Sequence, residues 1–193
     1  MKATFALLAN AETHNVVQKL SWEIHQRYRT GTHHASLPPH VSLKRPFSIS
    51  DLPALEEYMD ELAGAIQPFD LTLTELQMVP VPFGGAEYGI LWFDIEETSV
   101  LRGLHNRLNE ELSLRFGDTT ADFDGDAYRF HMSVMMGGQL MDIYRKYHDD
   151  IPNNRINMTY TAKELAMFVY DEPMGPHVDN LCYKILPLGS KTV

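Results

Sequence analysis

The sequence predicts a bilobal α+β fold: two pseudo-twofold-related strand–helix repeats, with mostly antiparallel sheets, around a central cleft. Three observations predict it. Short windows alternate apolar and polar residues between Pro, Gly and Asn, as half-buried strands do. Between them lie windows with apolar residues at helical spacing. The order of elements then restarts, so the chain reads twice as strand–helix–strand–helix–strand. Two copies of a period near 90 residues make two similar lobes, not a solenoid. The expected organisation is one domain over residues 1–193, with lobe-forming repeats of about 1–85 and 86–193.

The elements follow in order. Met1–Asn10 reads as a strand, and Ala11–Arg29 as a helix with Val17, Leu20, Ile24 and Tyr28 on one stripe. Thr30–Pro39 is a loop punctuated by Gly and Pro, and His40–Phe47 is a strand. Ser50 or Asp51 caps a second helix through Ile66, with Pro53 in its first turn and Leu55, Met59, Leu62 and Ile66 inward. "FDLTLTELQMVPV" alternates as a strand, "PFGGAE" turns the chain, and "YGILWFDIE" is a further strand. Ser99 caps a helix to about Arg115, with Leu101, Leu104, Leu108 and Leu112 inward. After a polar loop, Tyr128–Met136 is a strand and Leu140–His148 a helix. "INMTYTAKELAMFVYD" reads as one long or bulged strand, "NLCYKILPL" as the last, and "GSKTV" as a tail.

The chemistry lies in two matched strands. In "PPHVSLKRP", His40, Ser42 and Lys44 fall on alternate positions and so on one strand face, with Val41 and Leu43 on the other. "YRFHMSVMM" repeats the pattern with Arg129, His131 and Ser133. His40 and His131 stand 91 positions apart, as do Ser42 and Ser133. Two histidines facing one another across a pseudo-dyad suit concerted proton transfer. With ordinary pKa values of ~6.5, one can be neutral and the other charged near neutrality. One would take a proton from an attacking oxygen and the other give one to the departing oxygen on the far side of a phosphoryl group. The serine hydroxyls would bond non-bridging oxygens, and Lys44 and Arg129 would add positive charge to the pocket. The imidazoles should then lie about 5–8 Å apart, flanking one phosphate.

Paired H-x-[ST] tetrapeptides flanked by apolar residues are the signature of the 2H phosphoesterase superfamily, which includes bacterial 2′-5′ RNA ligases and cyclic nucleotide phosphodiesterases. "HVSL" at His40–Leu43 and "HMSV" at His131–Val134 resemble it, and the length and two-lobe repeat are similar across nearly the whole chain. Both motifs carry Ser where Thr is commoner in the family, which keeps the hydroxyl and loses a stiffening methyl. The resemblance implies a bilobal α+β fold with a central cleft, no required metal or cofactor, and cleavage of 2′,3′-cyclic phosphates or 2′-5′ linkages. The site residues it implies are His40, Ser42, His131 and Ser133; the resemblance assigns no role to Arg129, two residues before the second motif's histidine.

Bulk properties bound the partners. One cysteine, Cys182, excludes an internal disulfide framework and a Cys-based zinc site, and a reducing cytoplasm is the expected setting. The run Ala3–Ala9 is read as a buried strand and not as a secretory leader, and no stretch approaches the ~18 apolar residues of a membrane span. A net charge of −10 disfavours a DNA duplex and leaves a small nucleotide or an RNA 2′,3′-cyclic phosphate end as the expected partner.

Blander readings compete. Each His could be a satisfied structural residue, but the matched hydroxyls outweigh that. His33–His34 lacks acidic or Cys partners and is read as surface loop; His25, His105 and His148 are read as solvated on helices. "DFDGD" at Asp122–Asp126 starts like a calcium loop, yet position 12 is Ser133, so it is read as a polar turn. Tyr88, Trp92 and Tyr128 could stack on a base but are more simply core. The competing function is a non-catalytic RNA-end or nucleotide-binding protein of the same fold.

Overall fold

In the computed structural model, residues 1–31, 33–83, 86–150, 155–171 and 179–189 are described, and each of the first three helices starts where a short polar side chain meets an apolar stripe. Helix α1 (Ala11–Tyr28) is capped by Asn10, whose side chain accepts from the Thr13 N–H at 2.8 Å. For α2 (Leu52–Ala65) the cap is Asp51, accepting from Ala54 N–H at 3.0 Å, with Pro53 in the first turn. For α3 (Ser99–Phe116) it is Thr98, one residue before the expected Ser99. The stripes pack inward: Val17 and Ile24 from α1, Leu55, Met59 and Leu62 from α2, and Leu101, Leu108 and Leu112 from α3 are all buried in one large core. Each such side chain contributes about 1.5–3 kcal/mol on leaving water. Helix α4 (Met141–Asp150) adds Tyr147 to that core.

The strands are β1 (Lys2–Leu8), β2 (His40–Ser42), β3 (Phe47–Ser48), β4 (Phe69–Phe83), β5 (Ala86–Ile95), β6 (His131–Leu140), β7 (Arg155–Ala162), β8 (Glu164–Tyr170) and β9 (Asn180–Pro187). Among the described residues they form one antiparallel sheet in the order β7-β4-β5-β6-β2-β1-β8-β9, with β3 paired to β1. The halves of the sheet meet where β2 pairs β6 through Val41 and Met132. Alternation along β1 sorts the faces: Phe5 and Leu7 join the helix-covered core, while Ala6 and Leu8 join a small cluster with Leu37, Ala166 and Phe168 on the other face.

The mixed helix–sheet, antiparallel class expected from sequence is observed, with three differences in detail. The expected strand His40–Phe47 stops at Ser42, where Leu43 N–H donates to the Phe5 carbonyl and the Thr4 hydroxyl donates to the Lys44 carbonyl, turning the chain before β3. The expected long strand from Ile156 to Asp171 is two strands on opposite sides of the sheet: the burial alternation breaks at the exposed pair Lys163–Glu164, and there the chain crosses from β4 to β1. Strand pairing also crosses between the two repeats. Strand β4 of the first repeat pairs with β5 of the second, and β8 of the second pairs with β1 of the first. Its 15 residues need a long partner, which the ten-residue β5 supplies and the three-residue β2 cannot.

Candidate active site

The strand pair at the centre of the sheet brings both motifs together. Val41 faces Met132, and in an antiparallel ladder the next pairs on either side set His40 opposite Ser133 and Ser42 opposite His131. Val41 and Met132 are fully buried under the helices. The four motif side chains therefore share the opposite face, and all four are half-buried. Directly opposed side chains on adjacent strands have Cβ atoms about 5 Å apart, and diagonal ones about 7–8 Å, which is the relation of His40 to His131.

Each imidazole is held the same way. The Nδ1–H of His40 donates to the Pro38 carbonyl at 2.7 Å, and that of His131 to the Arg129 carbonyl at 2.8 Å. A carbonyl can only accept, so both rings carry a proton on Nδ1, and Nε2 is the position left for proton transfer, bare in the neutral ring and protonated in the charged one. In both motifs the acceptor lies two residues before the histidine.

The surroundings differ. The His40 and Phe168 rings meet edge to face, with centroids 4.5 Å apart, beside the small apolar cluster. Burial pushes its imidazole down to about 4, against the pull of the Pro38 hydrogen bond and with help from the nearby His131. His131 stacks flat on Trp92, with centroids 4.0 Å apart and planes at 23°. Burial lowers it too, the Arg129 carbonyl and the Asp94 carboxylate oppose that, and the Arg45 and Arg129 cations reinforce it. Asp94 is the cross-strand partner of His131 in β5 and accepts from Trp92 Nε1–H at 2.9 Å and from the Arg129 guanidinium at 3.1 Å.

Lys44 departs from expectation. Because β2 ends at Ser42, the alternation is lost, and Lys44 turns to the helix side. It is buried there, paired with Asp124 and donating to Asn109 Oδ1 at 2.5 Å. A cavity of about 410 Å³ on that side is lined by Lys44, Asn109, Thr119 and Asp124, and touches none of the four motif residues. Arg129 lies beside the motif, its side chain more than half exposed, its guanidinium on Asp94 and over the Trp92 ring.

Other candidates resolve into structure. His105 is not solvated: it is fully buried, donates from Nδ1 to the Leu43 carbonyl at 2.7 Å, accepts the Gly125 N–H on Nε2 at 3.0 Å, and stacks on Tyr128. His25 is half-buried and accepts the Gly31 N–H on Nδ1. The polar turn at 122–126 supplies Asp124 to Lys44. Trp92 and Tyr128 are buried, so neither ring face is open to a base. The side chains of His33, His34 and His148 lie outside the described ones. Among the described residues no three His, Cys, Asp or Glu side chains converge to hold a metal ion. Sequence reading missed Asp94, Trp92 as a ring support, and Phe168. Their only signal was membership of alternating strands, which cannot say which strands become neighbours.

A family model described as the 2′-5′ RNA ligase superfamily matches residues 10–173. Two bacterial proteins that both bear the name "Putative phosphoesterase" are similar in sequence. The one from Halalkalibacterium halodurans is 33% identical over 86 residues, 43% of this chain and 47% of that protein, so the match spans about half the relative's length. The one from Geobacillus thermodenitrificans is 23% identical over 159 residues, 75% of this chain and 83% of that one. Among solved structures, a Thermus thermophilus protein aligns over the full length of both chains with a TM-score of 0.57 at 13% identity. Escherichia coli LigT complexed with 3′-AMP aligns over 98% of both with a TM-score of 0.55 at 16% identity. These two likenesses concern the fold.

Proposed function

The chain belongs to the 2′-5′ RNA ligase superfamily of 2H phosphoesterases, and from that membership we propose that it is a metal-independent phosphodiesterase acting on the 2′,3′-cyclic phosphate of a nucleotide or RNA end, or on a short 2′-5′ linkage. The observation that carries this reading is the central ladder, with two histidines and two serines on one sheet face and each Nδ1 tied to a carbonyl, which leaves each Nε2 for proton transfer. E. coli LigT is known in complex with 3′-AMP and with ATP, ligands of the same chemical class.

In this mechanism His40 is the base and His131 the acid. His40 sits against Phe168 in apolar surroundings that favour the neutral ring, whereas Asp94 beside His131 favours the charged one. Water attacks phosphorus, and its proton goes to His40 Nε2 as the new P–O bond forms. The bond to one ribose oxygen breaks on the opposite side, and His131 Nε2–H protonates that oxygen. A ring-opened phosphomonoester results. Ser42 and Ser133 donate to the non-bridging oxygens, where negative charge concentrates.

The test is turnover of a panel of nucleoside 2′,3′-cyclic phosphates and 2′-5′-linked dinucleotides in the presence of EDTA. Hydrolysis that EDTA leaves unchanged is the expected result. Binding without turnover would favour a non-catalytic RNA-end binder, and abolition by EDTA would overturn metal independence.

A further inference from the structure

Two separate holds on the His131 ring lead to one carboxylate. From below, the Trp92 indole lies flat on the ring at 4.0 Å, and its Nε1–H is anchored on Asp94 Oδ1 at 2.9 Å. From the side, the Arg129 carbonyl accepts from the Nδ1–H at 2.8 Å, and the guanidinium of that same residue donates to both Asp94 oxygens at 3.1 Å. The guanidinium also lies over the indole, 5.4 Å from the ring centroid. Asp94 itself is the cross-strand neighbour of His131.

We propose that Asp94 is a positioning residue for His131: its carboxylate fixes the stacking plane through Trp92, fixes the tautomer through Arg129, and singles this histidine out as the proton donor. The last part rests on the acid–base reading above. Among the described residues the first histidine has no such support. Its carbonyl partner is Pro38, which has no polar side chain, and its ring neighbour is Phe168. The pseudo-twofold thus matches the two motifs in backbone and breaks between them in charge.

Among the described residues, the charged and titratable groups facing His131 are Asp94 from β5, Arg129 from the approach to β6, Arg45 from the segment after β2, and His40 from β2 itself. Asp94 is the negative one among them. Removing its charge leaves the arginines unopposed, so the imidazolium becomes harder to form and the titration midpoint of His131 must fall.

The experiment follows imidazole Cε1–H resonances of His40 and His131 through a pH titration by NMR, assigned with the single His→Gln variants, in Asp94→Asn, Asp94→Glu and Trp92→Phe proteins. In Asp94→Asn the His131 midpoint should fall by about one unit, the scale of one nearby opposite charge, while His40 stays put. Asp94→Glu should restore most of it. Trp92→Phe keeps the charge and the stack but loses the anchor, so the midpoint should hold. On an established substrate, kcat should fall about 10–100-fold in Asp94→Asn and less in Trp92→Phe, with KM nearly unchanged. An unmoved His131 midpoint in Asp94→Asn, or equal movement of His40 and His131, overturns the assignment. The titration needs no substrate. A protein that hydrolyses no phosphodiester would therefore end the functional reading without touching this result.

Discussion

At the scale of single residues, the site turns on two rings with the same hydrogen bond and different neighbours. If His40 and His131 are base and acid, His40→Ala and His131→Ala should each lower kcat by roughly 10²–10⁴, the worth of one positioned proton-transfer group. Ser42→Ala and Ser133→Ala should cost less, on the order of 10–10³ in kcat/KM, because proton transfer survives the loss of one donor. Steady-state kinetics on a cyclic phosphate checks both; full activity in either His variant would remove that residue from the chemistry. The pH profile follows from the signs. A base must be neutral, and His40 becomes so above about 4. An acid must be charged, and His131 loses its proton below the ordinary 6.5. The kcat/KM profile should be a bell with its maximum between those limits, on the acid side of neutrality. Each His-x-Ser pair was legible from sequence because alternation alone puts a histidine and its serine on one strand face; that the two pairs share a face follows from the β2–β6 pairing. Asp94 and His105 were not. The significance of each depends on a neighbour far along the chain: His131, 37 positions from Asp94, and Leu43, 62 positions from His105.

At the scale of elements, β2 is three residues long and is held from behind. The carbonyl of Ser42 accepts from the Tyr128 hydroxyl at 2.9 Å, and that of Leu43 from His105 at 2.7 Å. Next along, Lys44 is buried against Asp124 and Asn109. These bonds tie the first motif to α3 and to the turn before β6, so both motifs share one scaffold. Breaking a buried pair by removing one partner costs about 3–5 kcal/mol, because the other charge is left uncompensated. Asp124→Asn should lose about that much in urea unfolding. The double variant Lys44→Met/Asp124→Asn should recover much of the loss, since no charge then remains buried. Equal losses in the single and double variants would show that the pair contributes packing and not charge compensation. The strand expected over His40–Phe47 includes this segment because "HVSLK" alternates as far as Lys44, yet Lys44 is buried in an ion pair on the helix side.

At the scale of the whole molecule, the two repeats exchange strands. β4 completes the half of the sheet built on β5, and β8 the half built on β1, so fragments 1–85 and 86–193 would each expose unpaired strand edges and half a core. Neither fragment alone should show a cooperative thermal transition by circular dichroism; one that did would contradict the shared core. Acid sensitivity belongs to this scale as well. His40, His105 and His131 are all held below 6.5 by burial, so as pH falls through that value the unfolded chain takes up protons that the folded chain refuses. Unfolding free energy should therefore drop between pH 7 and 5, and continue downward as Glu97 and Glu111, held below 4.5 by their arginine and tyrosine partners, give up their charges. A flat dependence from pH 7 to 5 in chemical denaturation would show that these rings are solvated. The sequence by itself determined the helices, most strands, the repeat and the two His-x-Ser faces, because each is written in local periodicity that the backbone must obey. Only the tertiary structure decided the exchange of β4 and β8, the burial of Lys44 and the charge beside His131. Those depend on which strands become neighbours, and pairing across the chain is set by the collective burial of a core that no local window contains.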